Sequence, residues 1–523
     1  MLNLLTKFAT GCTLIWAVSL SIFAQPVPNW GITFGGSLWE QDPMVHALPE
    51  GGCMMVGNAY SNDGDLTGAL GDSDIVALRL DAEGTILWQH HYGGESTDLV
   101  SDVLVLPDGG AVICGRSRSS GGMMSGMHQG QFDILAFRIS PEGQTLWARA
   151  FGGSQSDHAN AVCPHPNGGV VLACKSVSFD GDTEGQIAWH DIWLLHLDGE
   201  GELVQEASLG EETGVEGAHA IEYAADIVLT TDGQLVVVGS STAASTDLGE
   251  DGPYNDQYIA KLDANLETLW ETFPGGVLEE EAQVAFPLPS GGVITVGYTW
   301  SSDFENTDPM EGGFCRGTLV KVNETGGVIW AQTFGGEGID RIRDIRPGNN
   351  GGWFAIGVSD SNTGSFNGNA GQADLWFLQM DGEGNLIHQE LMGGSQNDAG
   401  TSMAIDQQTG RFYLAGTSSS ADGDPSSNAG NSDWWLLGLD VPSAIGEEDR
   451  PTYMRFDPRS NALRWAPDAG LSGALSLYNV QGQCVLTARQ GWSFVSLEHL
   501  PCGHYLASMQ TADRAERLSV YVH

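Results

Sequence analysis

The sequence predicts an all-β fold whose main part is a seven-bladed β-propeller of four-stranded blades. The first observation behind this prediction is a recurring stretch, in which Trp330 is followed four residues later by Phe334-Gly335-Gly336. Seven copies of this spacing follow one another at steps of 58, 59, 58, 65, 60 and 58 residues, led by Trp30, Trp88, Trp147, Gln205, Trp270, Trp330 and His388. A repeat at a nearly fixed step determines the architecture ahead of any local motif.

The second observation is the pattern inside each copy, which contains four short strands separated by turns. In the second copy, residues 98–106 alternate apolar and polar side chains before a Pro-Asp-Gly-Gly turn and a short apolar strand. A long Gly/Ser loop reaches residue 132, residues 133–139 are β-branched and aromatic, and residues 144–151 lead into the next Gly-Gly. This pattern has the period of strands and not of helices. One blade cannot bury both its faces alone, so the blades must stack in a ring.

The two ends of the repeat region predict how the ring closes. The last copy stops at Asp440 without a fourth strand, and the first copy begins with a spare strand at residues 28–34. We expect this N-terminal strand to complete the seventh blade and to remove an open sheet edge. If the first strand of each copy lines the central channel, the long loops and the Gly-Gly crossovers share one face. Loops on a rigid scaffold are where binding commonly occurs.

Composition divides the chain into a very acidic body and a nearly neutral tail. The formal charge is −46, from 21 Lys and Arg against 67 Asp and Glu. From residue 441 onward eight acids face seven arginines, so the repeats at residues 25–440 carry nearly all of this charge. We therefore expect a linker at 441–451 and a small β-sandwich at 452–523. An acidic body repels nucleic acid and anionic lipid, which excludes nucleic-acid binding.

The first 24 residues have the pattern of a secretory signal peptide. Lys7 precedes an apolar run from Cys12 to Phe23, and Ala24 supplies a small residue for cleavage. The run is shorter than the roughly 20 residues that span a bilayer, and no later segment is apolar enough to do so. These features predict a secreted protein with no transmembrane segment after cleavage.

Export permits disulfide bonds. Cys163 and Cys174 flank a Pro-Asn-Gly-Gly turn, so they would face each other across a hairpin. Cys53 and Cys114 lie in apolar strands, where cysteine behaves as a small apolar residue. No CxxC pair is present in the sequence, so nothing indicates a structural zinc site.

The tail has an ordered set of motifs at the extreme C-terminus. An apolar strand ends in Tyr-Asn-x-x-Gly-Gln, Leu-x-x-Gly-x-Tyr follows, and a basic residue precedes a final apolar strand; the defining residues are Tyr478, Gly482, Leu500, Gly503, Tyr505 and Arg517. This arrangement resembles the C-terminal sorting domain of type IX secretion cargo. The resemblance implies recognition by the type IX machinery and transport through the periplasm to the medium or the outer cell surface. The repeats resemble the Trp–Phe-Gly-Gly propeller repeats joined to such tails in large secreted proteins.

Three of the long loops carry an Asp-Gly-Asp motif, which makes them candidate calcium sites. The carboxylates are Asp63, Asp65, Asp180, Asp182, Asp422 and Asp424. Calcium takes six to eight oxygen ligands, and two carboxylates separated by a glycine turn supply several of them. The alternative is that these aspartates form solvated turns without an ion.

Four aromatic side chains in the long loops are candidates for stacking on a sugar ring. They are Tyr60, Trp189, Tyr254 and Trp300. The alternative for each is a role as an apolar anchor of its loop. The tryptophans that recur once per copy are expected to pack between blades instead.

No catalytic residue is assigned from the sequence. The chain has no HExxH motif and no complete nucleophile elbow, and its 67 acids do not single out a facing carboxylate pair.

The sequence predicts a cell-surface binding or adhesion module for a glycan or a protein partner. The alternatives are a propeller-fold polysaccharide hydrolase or lyase, and a structural surface component without a ligand. A hydrolase would gather acids with an Arg or His in the channel, whereas a binding module would cluster aromatics and amides in the loops.

Overall fold

The computed structural model describes most of the repeat region and the strands of the tail. The described residues are 27–183, 192–210, 222–242, 248–249, 252–306, 314–348, 351–362, 369–406, 409–425, 427–440, 454–457, 462–465, 471–479, 484–488, 494–497, 500, 503–511 and 515–522. The chain divides into two compact units, of which the larger is Pro26–Val441.

The described residues of the larger unit form seven four-stranded antiparallel sheets, which confirms the predicted blades. After β1 (Val27–Phe34), the chain builds one blade after another, each from its inner to its outer strand. The strands are, for blade 1, β2 (Glu40–Ala47), β3 (Cys53–Ala59), β4 (Asp74–Leu80) and β5 (Ile86–Tyr92); for blade 2, β6 (Asp98–Val105), β7 (Ala111–Ser117), β8 (Asp133–Ile139) and β9 (Thr145–Phe151); for blade 3, β10 (Asp157–Pro164), β11 (Val170–Ser176), β12 (Ile192–Leu197) and β13 (Leu203–Leu209).

The remaining blades follow the same order. They are, for blade 4, β14 (Glu222–Leu229), β15 (Leu235–Ser241), β18 (Asp256–Leu262) and β19 (Thr268–Thr272), with a small hairpin β16 (Leu248–Gly249) and β17 (Gly252–Pro253) between; for blade 5, β20 (Glu280–Pro287), β21 (Val293–Thr299), β22 (Arg316–Val322) and β23 (Val328–Phe334); for blade 6, β24 (Asp340–Pro347), β25 (Trp353–Ser359), β26 (Asp374–Met380) and β27 (Leu386–Met392); for blade 7, β28 (Asp398–Ile405), β29 (Arg411–Ser418) and β30 (Asp433–Asp440). Short 3-10 turns occur at Gly122–Met124, Gly181–Thr183 and Phe304–Asn306.

The hydrophobic core lies between the faces of neighbouring blades. One cluster joins Val45 and Val76 of blade 1 to Tyr413 and Trp434 of blade 7. The second and third strands are buried on both sides, because a neighbouring blade covers each face of their sheet. The outer strands leave alternate side chains in solvent, as at Leu87, which is 59% exposed.

The fourth strand of blade 7 comes from the other end of the repeat region. β1 pairs antiparallel with β30, with Phe34 opposite Trp434 and Ile32 opposite Leu436. Phe34 is only 4% exposed, and Trp30 and Ile32 pack against the core cluster between blades 7 and 1. A Cβ on Gly84 in blade 1 would stand 3.0 Å from the Trp30 ring, so β1 also contacts the neighbouring blade.

In blades 1, 2 and 4 the recurring tryptophan connects the outer strand to a turn of the next blade. Trp147 Nε1 donates to the carbonyl oxygen of Gly199 at 3.0 Å. Its ring covers Gly201, whose φ of +80° places it in the left-handed region. Trp88 and Trp270 donate to the corresponding turns of blades 2 and 5. This contact requires a glycine under the ring, which explains why Trp and the turn glycine recur together.

The predicted pairing of Cys163 with Cys174 is wrong. Cys163 lies opposite Val171 in the β10–β11 register, three residues away from Cys174. Both are buried free thiols. Both cysteines flank the turn in the sequence, but Pro164 pairs with Val170 directly beside it, so the turn itself sets a register in which Cys174 lies opposite Ala159.

The described strands of the tail form two antiparallel sheets. One contains β31 (Met454–Asp457), β32 (Ala462–Trp465) and β35 (Phe494–Ser496). The other has the order β34 (Cys484–Ala488), β33 (Leu471–Asn479), β36 (Gly503–Thr511) and β37 (Ala515–Val522). Leu477 and Leu497 are buried. In the ranges given above, no helix is long and apolar enough to cross a membrane.

Candidate functional site

Strand direction sorts the connections of the propeller onto two faces. The long loops between second and third strands lie with the Gly-Gly crossovers on one face, which we call the loop face. Backbone bonds join the two, as where Asp182 N donates to Gly152 O at 2.9 Å and Asp424 N donates to Gly393 O at 3.1 Å. The tight turns that join first to second and third to fourth strands lie on the opposite face.

The predicted calcium residues lie on the loop face and hold the crossovers in place. In blade 3, Asp180 Oδ1 accepts a hydrogen bond from Ser154 N at 2.7 Å, and Asp182 Oδ2 accepts one from Gly152 N at 3.1 Å. The same arrangement occurs with Asp63 and Asp65 in blade 1 and with Asp422 and Asp424 in blade 7. The hydrogen bond from Ser154 lowers the pKa of Asp180. The motif therefore has a structural role in the crossovers, and calcium binding there stays a prediction.

The four aromatic candidates are not brought together. Tyr60 lines the central channel. Tyr254 and Trp300 are half-buried in their loops, and the described channel wall does not include them. Trp189 lies outside the described residues.

The proposed sorting residues lie mostly on strands of the tail. Tyr478 is on β33, Tyr505 on β36 and Arg517 on β37, where Arg517 is opposite Ser508. Gly503 begins β36, and Leu500 is half-buried. Gly482 lies outside the described residues.

A buried carboxylate at the start of every inner strand was missed by the sequence reasoning. These residues are Glu40, Asp98, Asp157, Glu222, Glu280, Asp340 and Asp398. In blade 3, Asp157 Oδ2 accepts from Gly153 N and from Ser178 Oγ, both at 2.8 Å. The signal was present as Gly-Gly-x-x-x-Asp/Glu, with a Ser-x-Ser pair after the second strand in several copies. An acidic side chain must lie at this distance along the sequence from the Gly-Gly pair to accept a hydrogen bond from the crossover amide, which is why the spacing recurs.

The inner strands surround a central channel with a cavity of about 900 Å³. Each inner strand has a bulge, for example between Val100 and Asp102 and between Ala224 and Asp226. A bulge adds an unpaired residue and turns the neighbouring side chain. In blades 2, 4 and 6 the residue after the bulge is an aspartate: Asp102, Asp226 or Asp344.

The three channel aspartates connect alternate pairs of blades. Asp226 Oδ1 accepts from Ile227 N at 2.7 Å, and its Oδ2 accepts from Ala285 N of blade 5 at 2.9 Å. Asp102 forms the same bridge from blade 2 to blade 3, and Asp344 from blade 6 to blade 7. Each carboxylate therefore satisfies a backbone amide on the neighbouring inner strand.

Burial and mutual repulsion raise the pKa values of these acids. Burial, and then the charge of Asp102, raises the pKa of Asp226 to about 7. Burial raises the pKa of Asp102 to about 6. Burial also raises the pKa of Asp344, against the opposing effect of Arg346, which donates to its Oδ1. Burial and the charge of Arg346 lower the pKa of His46, in the same channel, to about 4.

These shifts predict a pH dependence of stability. The folded state holds the Asp226 proton more tightly than the unfolded chain, whose pKa is near the ordinary 3.8. The resulting stabilisation is complete below pH 3.8 and is lost as the pH rises through 7. A rise in pKa of this size limits the stabilisation by the Asp226 proton to at most about 4 kcal/mol. Because the carboxyl faces a water-accessible channel, we expect this stabilisation to be about 1–2 kcal/mol.

Urea denaturation of the parent and of Asp226→Asn at pH 4.5 and pH 7.5 tests this. The free energy of unfolding of the parent, relative to the variant, should fall by that amount at the higher pH. A difference that is the same at both pH values would contradict the assignment.

Basic side chains gather around the channel although the body is strongly acidic. Arg116, Arg343 and Arg346 line it. Arg116 and Arg118 both lie over the Phe132 ring. Lys175 lies over the Tyr223 ring, and Arg341 lies over the Tyr298 ring. These six are nearly half of the thirteen Lys and Arg in residues 26–440, the others being Arg79, Arg138, Arg149, Lys261, Arg316, Lys321 and Arg411.

The fold and this site define a seven-bladed β-propeller with a polar central channel. The chain is similar to solved propeller structures: a polysaccharide lyase, Uly1 (10% identity, 80% of this chain and 99% of that chain, TM-score 0.43), and an ulvan lyase (12%, 78% and 95%, TM-score 0.47). It is also similar to the Pan2 WD40 domain of Neurospora crassa (9%, 80% and 91%, TM-score 0.40).

A relative by sequence is the regulatory protein FlaEY of Caulobacter vibrioides, 26% identical over 219 residues. The match covers 39% of this chain and 22% of that protein, so this chain spans about a fifth of its length. No family model matches the sequence.

Proposed function

We propose that the chain is a secreted or cell-surface binding module whose channel takes an acidic saccharide at its loop-face end. The observation that carries this proposal is that Arg116, Arg343 and Arg346 line the channel of an otherwise acidic ring, with three further basic side chains beside them over aromatic rings. Guanidinium groups fit carboxylates and sulfates bidentately. Tyr60 and Tyr223 in the channel wall supply aromatic surface for a sugar ring. The cavity of about 900 Å³ is within the size of small-molecule sites.

The test is a glycan array with the full chain, followed by titration of the best ligand. We expect uronic-acid or sulfated glycans to bind and their neutral counterparts not to bind. Arg343→Gln and Arg116→Gln should each weaken binding roughly 10- to 100-fold, because a hydrogen bond to a charged group is lost. Arg138→Gln is the matched control, since Arg138 pairs with Asp108 away from the channel. Equal affinity in all three variants would refute the proposed site.

The second candidate is a hydrolase or lyase acting on the same class of polymer. It is favoured by the raised pKa values of Asp102 and Asp226 in a channel that also contains Arg346. A carboxyl that titrates near neutral pH suits general acid or base catalysis. The bridging hydrogen bonds of both aspartates favour a structural role. Incubating the array's best polymer with the protein distinguishes the two, because only an enzyme creates new chain ends.

We also propose that β1 closes the ring and that the tail is an export domain. The β1–β30 pairing covers the last sheet edge that the repeats leave open. The two sheets of the tail are compatible with a small sandwich that type IX secretion recognises through Tyr478, Gly482, Leu500, Gly503, Tyr505 and Arg517. Residues 1–24 would direct the chain to the periplasm first.

A further inference from the structure

Buried carboxylate oxygens without a hydrogen-bond partner recur at the blade junctions of the loop face. The third strand of several blades begins with an aspartate whose Oδ1 is buried and unpartnered; these are Asp74, Asp133, Asp374 and Asp433. All four residues are at most 2% exposed. An ionised oxygen left alone at such depth is costly, so each position indicates a missing partner.

Three of these orphaned oxygens, those of Asp133, Asp374 and Asp433, point at a crossover glycine that other acids also surround. A Cβ on Gly152 would stand 2.8 Å from Asp133 Oδ1 and 2.7 Å from Asp157 Oδ2. The amide of the same glycine donates to Asp182 Oδ2 at 3.1 Å. Three carboxylates from two adjacent blades therefore meet around one glycine, which must lack a side chain to leave room for them.

The same three-acid set occurs at four described junctions. In each set the acids come from the third strand of one blade, the inner strand of the next blade and the long loop of that next blade. The sets are Asp133, Asp157 and Asp182; Asp256, Glu280 and Glu305; Asp374, Asp398 and Asp424; and Asp433, Glu40 and Asp65.

The junction between blades 5 and 6 lacks two of these acids and has an arginine in place of one of them, whose guanidinium donates to Ser301 O at 2.9 Å. Arg316 begins the third strand there, 4% exposed, and its Cγ stands 3.0 Å from the Cβ position of Gly335, beside Asp340. The sequence has Ser365 where the loop acid of the other sets stands. A positive side chain thus replaces the aspartate at the junction where the loop acid is also missing.

We propose that the four three-acid junctions each bind a calcium ion, and that the junction between blades 5 and 6, which contains Arg316, does not. Among the described residues, no group of three His, Cys, Asp or Glu side chains is already placed to hold a metal. We therefore expect two direct carboxylates, with backbone carbonyl oxygens and water as the remaining ligands. Such mixed oxygen sites bind calcium at about 10⁻⁴–10⁻³ M in extracellular proteins. The inference does not depend on what the channel binds.

The test is equilibrium dialysis of the chelator-treated full chain against calcium chloride at about 0.15 M ionic strength, with thermal unfolding as a second readout. We expect saturable uptake of about four ions and a higher Tm with calcium. Asp374→Asn and Asp133→Asn should each remove one ion and reduce the rise in Tm. The side-chain oxygen of asparagine can still accept the hydrogen bonds that the loop amides donate to aspartate Oδ2 in the parent, so both variants should fold.

The matched control is Asp360→Asn, which removes a loop acid at the junction that contains Arg316. Its calcium uptake should equal that of the parent. Absence of saturable uptake up to about 10 mM, ten times the weakest expected affinity, would overturn the proposal. Equal losses of calcium in Asp360→Asn and Asp374→Asn would also overturn it, because they would show diffuse attraction by the acidic body.

Discussion

Deleting residues 26–34 is expected to unfold the propeller instead of merely shortening it. The deletion exposes the core cluster that Phe34, Trp30 and Ile32 cover between blades 7 and 1, and it leaves the length of β30 unpaired. Burial of a large apolar side chain contributes about 1.5–3 kcal/mol, and each hydrogen bond about 0.5–1.5 kcal/mol. The summed loss, on the order of 5–10 kcal/mol, is comparable with the whole stability of a typical domain. Urea denaturation followed by tryptophan fluorescence measures it.

Single substitutions separate closure from the general effect of a deletion. Phe34→Ala should lower the free energy of unfolding by about 3–5 kcal/mol, because it empties a buried site. Ile329→Ala on the equivalent outer strand of blade 5 is the control, since Ile329 is 54% exposed and its loss should cost about 0.5 kcal/mol or less. A deletion variant as stable as the parent would show that the ring does not need β1.

Replacing Asp344 by alanine is expected to be the most destabilising substitution in the channel. The change removes the acceptor of Met403 N in blade 7 and of Ile345 N, and it leaves the Arg346 guanidinium without its carboxylate. Loss of one partner of a buried ion pair typically costs about 3–5 kcal/mol. The free energy of unfolding from urea titration should fall by that amount.

Two companion variants show which interaction is responsible. Asp344→Asn keeps one acceptor oxygen and should fall between the parent and Asp344→Ala. Glu50→Ala breaks the ion pair with Arg79 at the surface, where Glu50 is 61% exposed, and should cost about 0–1 kcal/mol. If Asp344→Ala were no more destabilising than Glu50→Ala, the bridge between blades 6 and 7 would not be an important contact.

The blades were predictable because their signals are local and repeated. Trp330 and Gly335-Gly336 keep the same spacing as their counterparts, and each turn uses a residue type that the turn requires. One copy of this spacing would be weak evidence for a blade, but seven copies at a nearly constant step predict the repeat architecture reliably. The packing role of the tryptophans followed from their one-per-blade spacing, and the contact of Trp147 with Gly199 agrees with it.

The candidate site was only partly predictable. Asp102, Asp226 and Asp344 have ordinary surroundings in the sequence, and only a bulge on each inner strand brings them into one channel. Tyr60 lies in a long loop by its position in the sequence, but in the structure it belongs to the channel wall. The Asp-Gly-Asp loops are visible in the sequence, whereas the approach of acids from two blades, such as Asp133 and Asp157, depends on how the blades stack.

By itself the sequence determined the number of blades, the four strands in each and the acidity of the body. These properties depend on residue type and spacing within one repeat. Only the tertiary structure decided which side chains meet across blades: Asp226 with the amide of Ala285, Arg316 in place of an acidic set, and Cys163 away from Cys174. The physical reason is that strand register and the stacking of blades join residues some 60 positions apart, and a one-residue bulge changes which of them come into contact.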